Sequence, residues 1–231
     1  MKITYWSDYA CPYCYIGEAR LKRAIRELKL EDKIELEMKA FQLDPGAPEK
    51  SNGTTLDRFA AKYGLSKSQA AQQIENISQM GRDEGLEFNY AATLFTNTMD
   101  AHRLTKYACE KDEVTGDKLI EELFQAYFSE NKELADHEVL MQAALASGLN
   151  EDEVEEVLAS DRYKDEVILD EREAVRYGVH AVPFFVVGKY GIPGALSTDQ
   201  MKATIMKTME EESDSSTAQG MSCGKDGCRI R

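Results

Sequence analysis

The chain has 231 residues, of which 42% are hydrophobic and 30% are charged, a balance typical of a globular protein. Its formal net charge of −14 argues against nucleic acid or an anionic membrane surface as a partner, because both attract basic patches. No apolar run approaches the ~18 residues that span a bilayer, and the amino terminus lacks the apolar stretch of a signal peptide. We therefore expect a cytoplasmic protein that binds neither nucleic acid nor membrane.

Five cysteines are present, and four of them form two closely spaced pairs, Cys11 with Cys14 and Cys223 with Cys228. An odd number of cysteines in a chain of this length is not the disulfide framework of a small secreted domain. In a reducing compartment, closely spaced pairs indicate either redox catalysis or metal binding. The fifth cysteine, Cys109, follows apolar residues at helical spacing, so we expect it to be buried and inert.

The amino-terminal residues have the pattern of a β-α-β unit. Residues 3–7 are β-prone, residues 12–28 place apolar side chains at helical spacing, and residues 34–40 alternate between apolar and charged side chains. The pair Cys11 and Cys14 therefore lies at the first junction between a strand and a helix.

A long helical segment follows the breaker sequence at residues 44–48. Ser66 and Gln69 form a capping-box pattern before one helix, and Asn97 with Asp100 marks the start of another. No internal repeat at a fixed period connects the helices. The apolar periodicity predicts them at residues 70–80, 101–109, 119–127, 138–145, 154–158 and 167–177.

The β character returns near the carboxyl terminus. Residues 182–187 and 192–195 are predicted to form a hairpin, and residues 199–211 a closing helix. Because neither β half has enough strands to be stable alone, we expect one discontinuous α/β domain. The predicted boundaries are 1–44 and 178–212 for that domain, 45–177 for an all-helical insertion, and 213–231 for a flexible tail that carries the second cysteine pair.

Cys11 and Cys14 have the spacing and the placement of a catalytic dithiol. At the N-cap of a helix, the Cys11 sulfur lies near free backbone N–H groups and the positive end of the helix dipole, and both stabilise the thiolate that attacks disulfides. Pro12 fits the first helical position, where its missing N–H is not needed. Cys14 lies one turn into the helix, so it can resolve a mixed disulfide on Cys11. We expect Cys11 to be the more exposed sulfur and the nucleophile.

Half of a zinc site is the alternative interpretation of this pair. Structural zinc takes four ligands, and the chain contains neither a second Cys-x-x-Cys sequence nor a pair of histidines at ligand spacing. Redox catalysis is therefore the favoured interpretation of Cys11 and Cys14, with no metal and no cofactor.

Pro183 precedes an apolar strand and cannot donate a hydrogen bond to a β-ladder. Such a proline occupies the first residue of a strand or a tight turn, and it is a candidate for the rare cis bond. An ordinary edge-strand proline is the alternative on local sequence alone. Together with the dithiol, the pattern favours a cis Val182–Pro183 bond close to Cys11, which leaves the backbone of Val182 free to pair with an extended substrate.

Three segments of the chain carry a specific resemblance: residues 8–17, which contain Cys-Pro-Tyr-Cys, residues 97–104, and residues 178–183. Together they resemble the FrnE-type branch of the DsbA family, and the similarity extends over the chain to about Glu212. The resemblance implies a thioredoxin fold interrupted by a large all-helical insertion, with a redox dithiol and a cis-proline. Members of this family are linked to protein disulfide exchange and to polyketide maturation.

Related sequences include kappa-class glutathione transferases and hydroxychromene-carboxylate isomerases. These relatives typically carry serine where this chain has Cys11. Periplasmic DsbA has a leader, and it has histidine between its cysteines where this chain has Tyr13. The strong oxidising power of DsbA is therefore not expected for this chain.

Several side chains near the dithiol are candidates for contact with substrate. The resemblance implies that the helix of His102 packs over the dithiol, which gives His102 an accessory role, and a structural hydrogen bond is the alternative. Tyr9, Tyr13 and Tyr15 cluster around the dithiol in the sequence. We expect these tyrosines to line an apolar substrate groove beside the backbone of Val182.

The tail pair Cys223 and Cys228 encloses two glycines, so a local disulfide is sterically easy. A flexible stretch from Glu212 to Cys223 has a root-mean-square reach of about 18 Å, which is enough to bring the pair to Cys11. A second, accessory redox centre is the favoured interpretation. A two-thiolate metal clamp is the first alternative, and the absence of any role is the second.

The sequence thus predicts a thiol–disulfide oxidoreductase or isomerase that acts on protein or small-molecule disulfides, glutathione included. In this hypothesis Cys11 attacks, Cys14 resolves, and Pro183 with Val182 shapes the substrate site. One alternative is a glutathione-dependent transferase or isomerase of the kappa type. Another is a metal-binding redox sensor that uses both cysteine pairs.

Overall fold

The computed structural model describes residues 1–219, 223–224 and 227–228, and side chains as far as residue 213. Its strands are β1 (Lys2–Ser7), β2 (Glu35–Ala40), β3 (Phe184–Val187), β4 (Tyr190–Pro193), β5 (Cys223–Gly224) and β6 (Gly227–Cys228). Its helices are α1 (Pro12–Leu28), α2 (Thr55–Tyr63), α3 (Lys67–Asp83), α4 (Met99–Lys111), α5 (Glu113–Phe128), α6 (His137–Ala146), α7 (Glu151–Leu158), α8 (Lys164–Arg176) and α9 (Thr198–Gln219), and a 3₁₀ turn covers Tyr90–Ala92.

Strand β1 organises a four-stranded sheet whose order is β2-β1-β3-β4. It pairs in parallel with β2 and antiparallel with β3, and β3 continues antiparallel to β4. The two faces of β1 contact different elements. Tyr5 stacks on Phe185, its partner in β3, whereas Trp6 donates from Nε1 to the Asp170 carbonyl of α8.

Helix α1 approaches the sheet closely because residue 17 is glycine. A Cβ atom at Gly17 would lie 3.2 Å from Pro183 Cγ and 3.2 Å from the Phe185 ring. A larger residue would therefore push α1 away from β3 and from the loop before it. Helix α9 packs beside α1, and Thr208 of α9 donates to the Val187 carbonyl. These contacts keep the amino-terminal turn of α1 next to the loop that carries Pro183.

The insertion between β2 and β3 is all helical in the described structure, and it shares the core of the sheet. Ser66 and Gln69 form the predicted capping box at the start of α3, and the Asp112 side chain caps α5. A stack of aromatic rings connects the insertion to α1, since the Tyr15 ring lies 4.8 Å from the Phe124 ring, centroid to centroid. The observed architecture is thus the predicted α/β fold with a helical insertion.

Helix α2 and the start of strand β3 differ from the sequence prediction, and β4 covers Tyr190–Pro193 rather than residues 192–195. Helix α2 is not predicted by the apolar pattern, although the Thr54 side chain caps it by accepting from the Asp57 N–H. Strand β3 begins at Phe184 rather than at residue 182, because Pro183 has no N–H with which to join a ladder.

Helix α9 also differs, because it continues to Gln219 rather than ending at residue 211. Residues 212–219 are polar except for Ala218, but they contain neither glycine nor proline, so nothing in them breaks a helix. The flexible tail predicted from residue 213 is therefore wrong as far as Gln219. Across the described ranges, no helix combines the length and the apolar character needed to cross a membrane.

Candidate active site

The first turn of α1 holds the two cysteines of the dithiol. Cys11 is the N-cap residue, with extended backbone angles, and Pro12 occupies the start of the helix, as predicted. The Cys11 N–H donates to the Asp8 carbonyl at 3.0 Å, and the Cys14 N–H donates to the Cys11 carbonyl at 3.0 Å. This geometry holds the Cys11 side chain at the amino-terminal end of α1, next to the free N–H groups of the first turn.

Both sulfur atoms lie in the protein interior. The exposed fraction is 4% for Cys11 and 1% for Cys14, so Cys11 is the more exposed of the two, although both are buried. Burial raises the pKa of the Cys14 thiol well above its ordinary value, and the neighbouring Cys11 raises it further. The Ser7 hydroxyl and the Asp8 N–H, which donates to Cys14 Sγ at 3.5 Å, oppose this effect. Cys14 is therefore a protonated thiol near neutral pH.

The loop before β3 presents its backbone to Cys11. The Val182–Pro183 peptide bond is cis, which confirms the prediction from the sequence. The Cys11 thiol donates to the Val182 carbonyl oxygen at a distance of 3.5 Å from Sγ, and the Gly194 N–H donates to the Pro183 carbonyl at 2.8 Å. The predicted proximity of Pro183 to the dithiol is thereby confirmed as well.

The carboxylate of Asp8 connects the dithiol loop to two other parts of the chain. Asp8 Oδ2 accepts from the Leu43 N–H at 2.8 Å, and Oδ1 accepts from the Ala10 N–H at 3.3 Å. His102 Nε2 of α4 lies 3.4 Å from Oδ1, and both side chains are almost fully buried. The sequence analysis does not identify Asp8 as a site residue. The one feature that could have indicated it is the tendency of aspartate to form turns at the start of a loop.

Tyr9 and His102 are buried behind the dithiol, which corrects the expectation that they contact substrate. Tyr9 has an exposed fraction of 0%, and its hydroxyl shares a 2.5 Å hydrogen bond with Thr105 Oγ1. The His102 ring packs on the Tyr9 ring at a centroid distance of 5.0 Å. Tyr15 is also buried, against Phe124. The reason is that α4 and α5 of the insertion cover these rings and leave them no access to a groove.

Three tyrosines form a group next to the dithiol, and we call them the tyrosine rim: Tyr13 interacts with Cys11 and Tyr63, and Tyr90 interacts with Cys11 and with both other tyrosines. Tyr13 has an exposed fraction of 39%, and Tyr63 at the end of α2 has one of 56%. Burial raises the pKa of Tyr13, and the proximity of Tyr63 and Cys11 raises it further. Burial also raises the pKa of Tyr90, whose neighbours include Cys11, Tyr63 and Tyr13. The sequence predicts only Tyr13, because no local pattern links the insertion residues to the dithiol.

Cys109 is exposed on α4, so the prediction that it is buried is wrong. It lies near the carboxyl end of that helix, where the chain turns into α5 and the helix face is only partly covered. Its sulfur rests against Gly116, where a Cβ atom would come within 2.6 Å. This packing desolvates the thiol and raises the pKa of Cys109 to about 11, although Lys106 acts in the opposite direction. A thiol that stays protonated agrees with the expected inertness.

The second cysteine pair is described through its backbone alone. Cys223 lies opposite Cys228 in the antiparallel ladder of β5 and β6, and the two side chains lie outside the described part of the chain, as do residues 220–222, 225–226 and 229–231. The tail disulfide and its contact with Cys11 therefore stay predictions. Among the side chains that are described, no group of three or more His, Cys, Asp or Glu residues could hold a metal ion.

The fold and the site together define a class of protein. A Cys-x-x-Cys pair at the start of a helix, inside a β-α-β unit and next to a cis-proline loop, is the arrangement of a thioredoxin-fold dithiol protein. The chain belongs to the family described as the DSBA-like thioredoxin domain, which matches residues 2–206. This match confirms the predicted thioredoxin fold with its helical insertion, and it confirms the DsbA part of the resemblance.

Individual relatives agree with this family. The chain is 32% identical to the probable DsbA oxidoreductase SCO1869 from Streptomyces coelicolor, with 100% of this chain and 99% of that chain covered and a TM-score of 0.86. It is 28% identical over 213 residues to YwbO from Bacillus subtilis (strain 168), which is 88% of this chain and 94% of that protein. A 2-hydroxychromene-2-carboxylate isomerase is 13% identical with a TM-score of 0.71, over 93% of this chain and 98% of that one, which shows the fold alone.

The buried Cys14 thiol predicts a pH dependence for the stability of the reduced protein. In the unfolded chain a cysteine ionises with a pKa of about 8.5, whereas burial keeps Cys14 protonated in the folded state. Above about pH 8.5 the unfolded state therefore binds fewer protons, and the free energy of unfolding falls by about 1.4 kcal/mol per pH unit until the folded thiol ionises. Below that pH the contribution of Cys14 is constant.

Urea unfolding of the reduced protein between pH ~8 and ~10 measures this loss of stability. The Cys14→Ser variant is the matched control, because it retains every other titrating group, including Cys109 and the buried tyrosines. The wild-type chain is expected to lose about 1–2 kcal/mol more than the variant over this range. Parallel pH curves for the two proteins would contradict the assignment of a protonated Cys14.

Proposed function

We propose that the chain is a dithiol–disulfide oxidoreductase that exchanges disulfides with protein or small-molecule thiols through Cys11 and Cys14. The observation that carries the proposal is the contact between Cys11 Sγ and the Val182 carbonyl oxygen, 3.5 Å apart, beside the cis bond to Pro183. The Cys11 sulfur at the start of α1 thus meets an extended backbone segment that can align a substrate strand. Membership of the DsbA-like family supports the same activity.

In the reducing direction, the Cys11 thiolate attacks one sulfur of the substrate disulfide. The bond between Cys11 and substrate forms, the substrate S–S bond breaks, and the released substrate thiolate takes a proton. Cys14 then loses its proton and attacks Cys11 Sγ, so the mixed disulfide breaks and the second substrate sulfur leaves and is protonated. The protein ends with a Cys11–Cys14 disulfide, and the substrate has gained two electrons and two protons. The same steps in the reverse order oxidise a substrate dithiol.

The tyrosine rim supports a polypeptide as one class of substrate. Tyr13 exposes part of its ring next to Cys11, and Tyr63 exposes its ring next to Tyr13. Such side chains, with large rings and polar hydroxyls, suit contacts with peptide segments. Leu43, whose N–H is bonded to Asp8, adds a partly exposed apolar side chain near the dithiol loop. Glutathione is the small-molecule alternative in this proposal, which includes no nucleic-acid or membrane partner.

Steady-state reduction of two disulfides tests the activity and the substrate class together. With dithiothreitol as the recycling reductant, the protein is expected to reduce insulin and oxidised glutathione faster than dithiothreitol alone does. Tyr63→Ala is expected to raise KM for insulin about fivefold and to change KM for oxidised glutathione by less than about twofold. Equal effects on the two substrates would contradict a polypeptide contact at Tyr63, and no turnover of either would contradict the proposed activity.

Tyr190→Ala is the matched control for this experiment. Tyr190 pairs with Val187 at the end of the β3–β4 hairpin that lies away from Pro183, and its hydroxyl donates to Glu211. Removal of the Tyr190 ring is therefore expected to leave KM for both disulfides within about twofold of the wild-type values. A loss equal to that of Tyr63→Ala would indicate a general effect of tyrosine removal.

A second proposal is that the tail pair passes electrons to or from Cys11–Cys14. Its support is the register in which Cys223 lies opposite Cys228, because directly opposed residues of an antiparallel ladder have Cβ atoms about 4.5–5.5 Å apart, near the spacing of a disulfide. Because both pairs belong to one chain, exchange between them would be intramolecular.

Because α9 continues to Gln219, a deletion that tests the tail should remove residues 220–231 and leave the helix whole. This deletion and the double substitution Cys223→Ser with Cys228→Ser are expected to change insulin turnover to the same extent, about threefold or more for a lost intramolecular step. Full activity in both would leave the tail without a redox role, and metal bound by the intact chain but not by the double variant would favour the clamp.

The FrnE-type branch and isomerase activity belong to this proposal too. Both are supported by the three resembling segments, which contain the dithiol, the His102 residue that contacts Asp8, and the cis bond at Pro183. A cytoplasmic location stays a prediction. The isomerase that shares the fold makes a kappa-type, glutathione-dependent transferase or isomerase the alternative, and a variant at Cys11 separates the two.

A further inference from the structure

The side chain of Ser7 lies on the face of β1 that is turned toward α1. Alternate residues of a strand point to the same face, so Ser7 shares a face with Tyr5. Tyr5 stacks on Phe185, and Phe185 in turn lies against Gly17 of α1. Ser7 also ends β1 at the level of the first helical turn, because the next N–H along the chain donates to Cys14 Sγ.

The hydroxyl of Ser7 is buried and has no aligned partner. Ser7 has an exposed fraction of 0%, and its Oγ makes no aligned hydrogen bond to any group of the described residues. Its backbone is already engaged, since the Ser7 carbonyl accepts from the Phe41 N–H at 3.1 Å. The same hydroxyl nevertheless lies close enough to Cys14 to lower the pKa of its thiol. An unsatisfied buried hydroxyl destabilises a fold, so its position beside Cys14 requires a reason.

We propose that Ser7 donates a hydrogen bond to the Cys14 thiolate in the resolving step, a role that rests on the proposed disulfide exchange. In that step Cys14 gives up its proton, its thiolate forms the S–S bond to Cys11, and the bond from Cys11 to the substrate sulfur breaks. The electron pair of the broken bond leaves on the substrate sulfur, which takes a proton. The Ser7 hydroxyl keeps its own proton and stabilises the negative charge while it resides on Cys14.

The same hydrogen bond serves the oxidising direction. When a substrate thiolate attacks Cys11 of the Cys11–Cys14 disulfide, Cys14 departs as a thiolate into the same buried surroundings. By microscopic reversibility, the Ser7 hydroxyl stabilises this leaving group as it stabilises the attacking thiolate. The residue therefore assists exchange in either direction.

A two-step reaction with the aromatic disulfide dithiobis(nitrobenzoate) separates attack from resolution. The full-length chain is used with Cys109, Cys223 and Cys228 replaced by alanine, so that only the dithiol reacts. The first thionitrobenzoate released reports attack by Cys11, and the second reports resolution by Cys14. In this background Ser7→Ala is expected to slow the second release about tenfold and to leave the first within about twofold. The pH profile of the second release should move about one unit toward alkaline pH.

Ser7→Thr and Ser7→Val form a matched pair, because valine has the shape of threonine without the hydroxyl. The threonine variant is expected to resolve at least about five times faster than the valine variant. Ser78→Ala controls for the loss of a buried hydroxyl elsewhere, since Ser78 donates to the Ile74 carbonyl inside α3. Both release rates of this control should match those of the parent chain.

Two results would overturn the role of Ser7: a second release at the parent rate in Ser7→Ala, or equal second-release rates for the threonine and valine variants. The second comparison holds even if the alanine variant does not fold. Absence of a second release in the parent chain would instead contradict disulfide exchange itself. The two failures are therefore distinguishable.

Discussion

Replacement of Cys11 by serine is expected to lower the rate of disulfide exchange about a thousandfold or more. A serine hydroxyl is not ionised near neutral pH and cannot form the mixed disulfide with a substrate sulfur. Cys14 cannot take over the attack, because its side chain is only 1% exposed and its pKa is raised by burial. Insulin turnover with dithiothreitol, measured for the wild-type and Cys11→Ser proteins at equal concentration, gives the ratio directly.

Cys109→Ser is the control for this variant, because Cys109 is an exposed thiol on α4 that lies outside the dithiol. Its turnover is expected to equal that of the wild type within about twofold, and both variants should unfold at the wild-type temperature within a few degrees. Substantial activity in Cys11→Ser would contradict the dithiol mechanism. If the retained activity required glutathione, it would favour a kappa-type transferase or isomerase.

Replacement of Asp8 by alanine is expected to lower the free energy of unfolding by about 3 kcal/mol. The substitution removes the acceptor of the Leu43 and Ala10 N–H groups and leaves His102 Nε2 without its neighbouring carboxylate. The side chains of Asp8 and His102 lie in the interior, where an unsatisfied polar group is not compensated by water. Asp8→Asn keeps one amide oxygen as an acceptor, so about half of the loss is expected. Urea unfolding of the reduced proteins measures both values.

Asp161→Ala is the matched control for the loss of a carboxylate. The Asp161 side chain is 85% exposed and pairs with Lys164, and exposed pairs of this kind contribute less than about 1 kcal/mol. The loss of stability in Asp161→Ala is therefore expected to stay within about 0.5 kcal/mol. An equally small loss in Asp8→Ala would show that the buried carboxylate does not hold the dithiol loop in place.

The dithiol and the cis-proline loop could be predicted from the sequence because local patterns determine them. Cys11 at a strand-to-helix junction, followed by Pro12, specifies the N-cap and the first helical position without knowledge of the rest of the chain. Pro183 is predictable in the same local way, because a proline before an apolar strand cannot donate a hydrogen bond to the ladder. The helices of the insertion follow from apolar periodicity, and α2 is the exception because it buries only Thr55 and Phe59.

The surroundings of the dithiol could not be predicted, since they depend on how distant elements pack. Tyr9 is close to the cysteines in the sequence, and His102 belongs to one of the resembling segments. The packing of α4 against Tyr9 buries both side chains. Tyr90 lies near Cys11, Tyr13 and Tyr63 only because the insertion folds back onto α1. The role proposed for Ser7 likewise depends on the face of β1 that α1 covers, which a single strand pattern does not identify.

Trapping of the mixed disulfide tests the central claim most directly. The Cys14→Ser variant, incubated with a disulfide-bonded protein such as insulin, should accumulate a covalent complex that is released by dithiothreitol and that peptide mapping locates at Cys11. The wild-type protein should show no stable complex, because Cys14 resolves it, and the double variant Cys11→Ser with Cys14→Ser should form none. A complex that maps to Cys109 or to the tail instead, or no complex at all while Cys11 remains reduced, would contradict the account of Cys11 as the attacking sulfur.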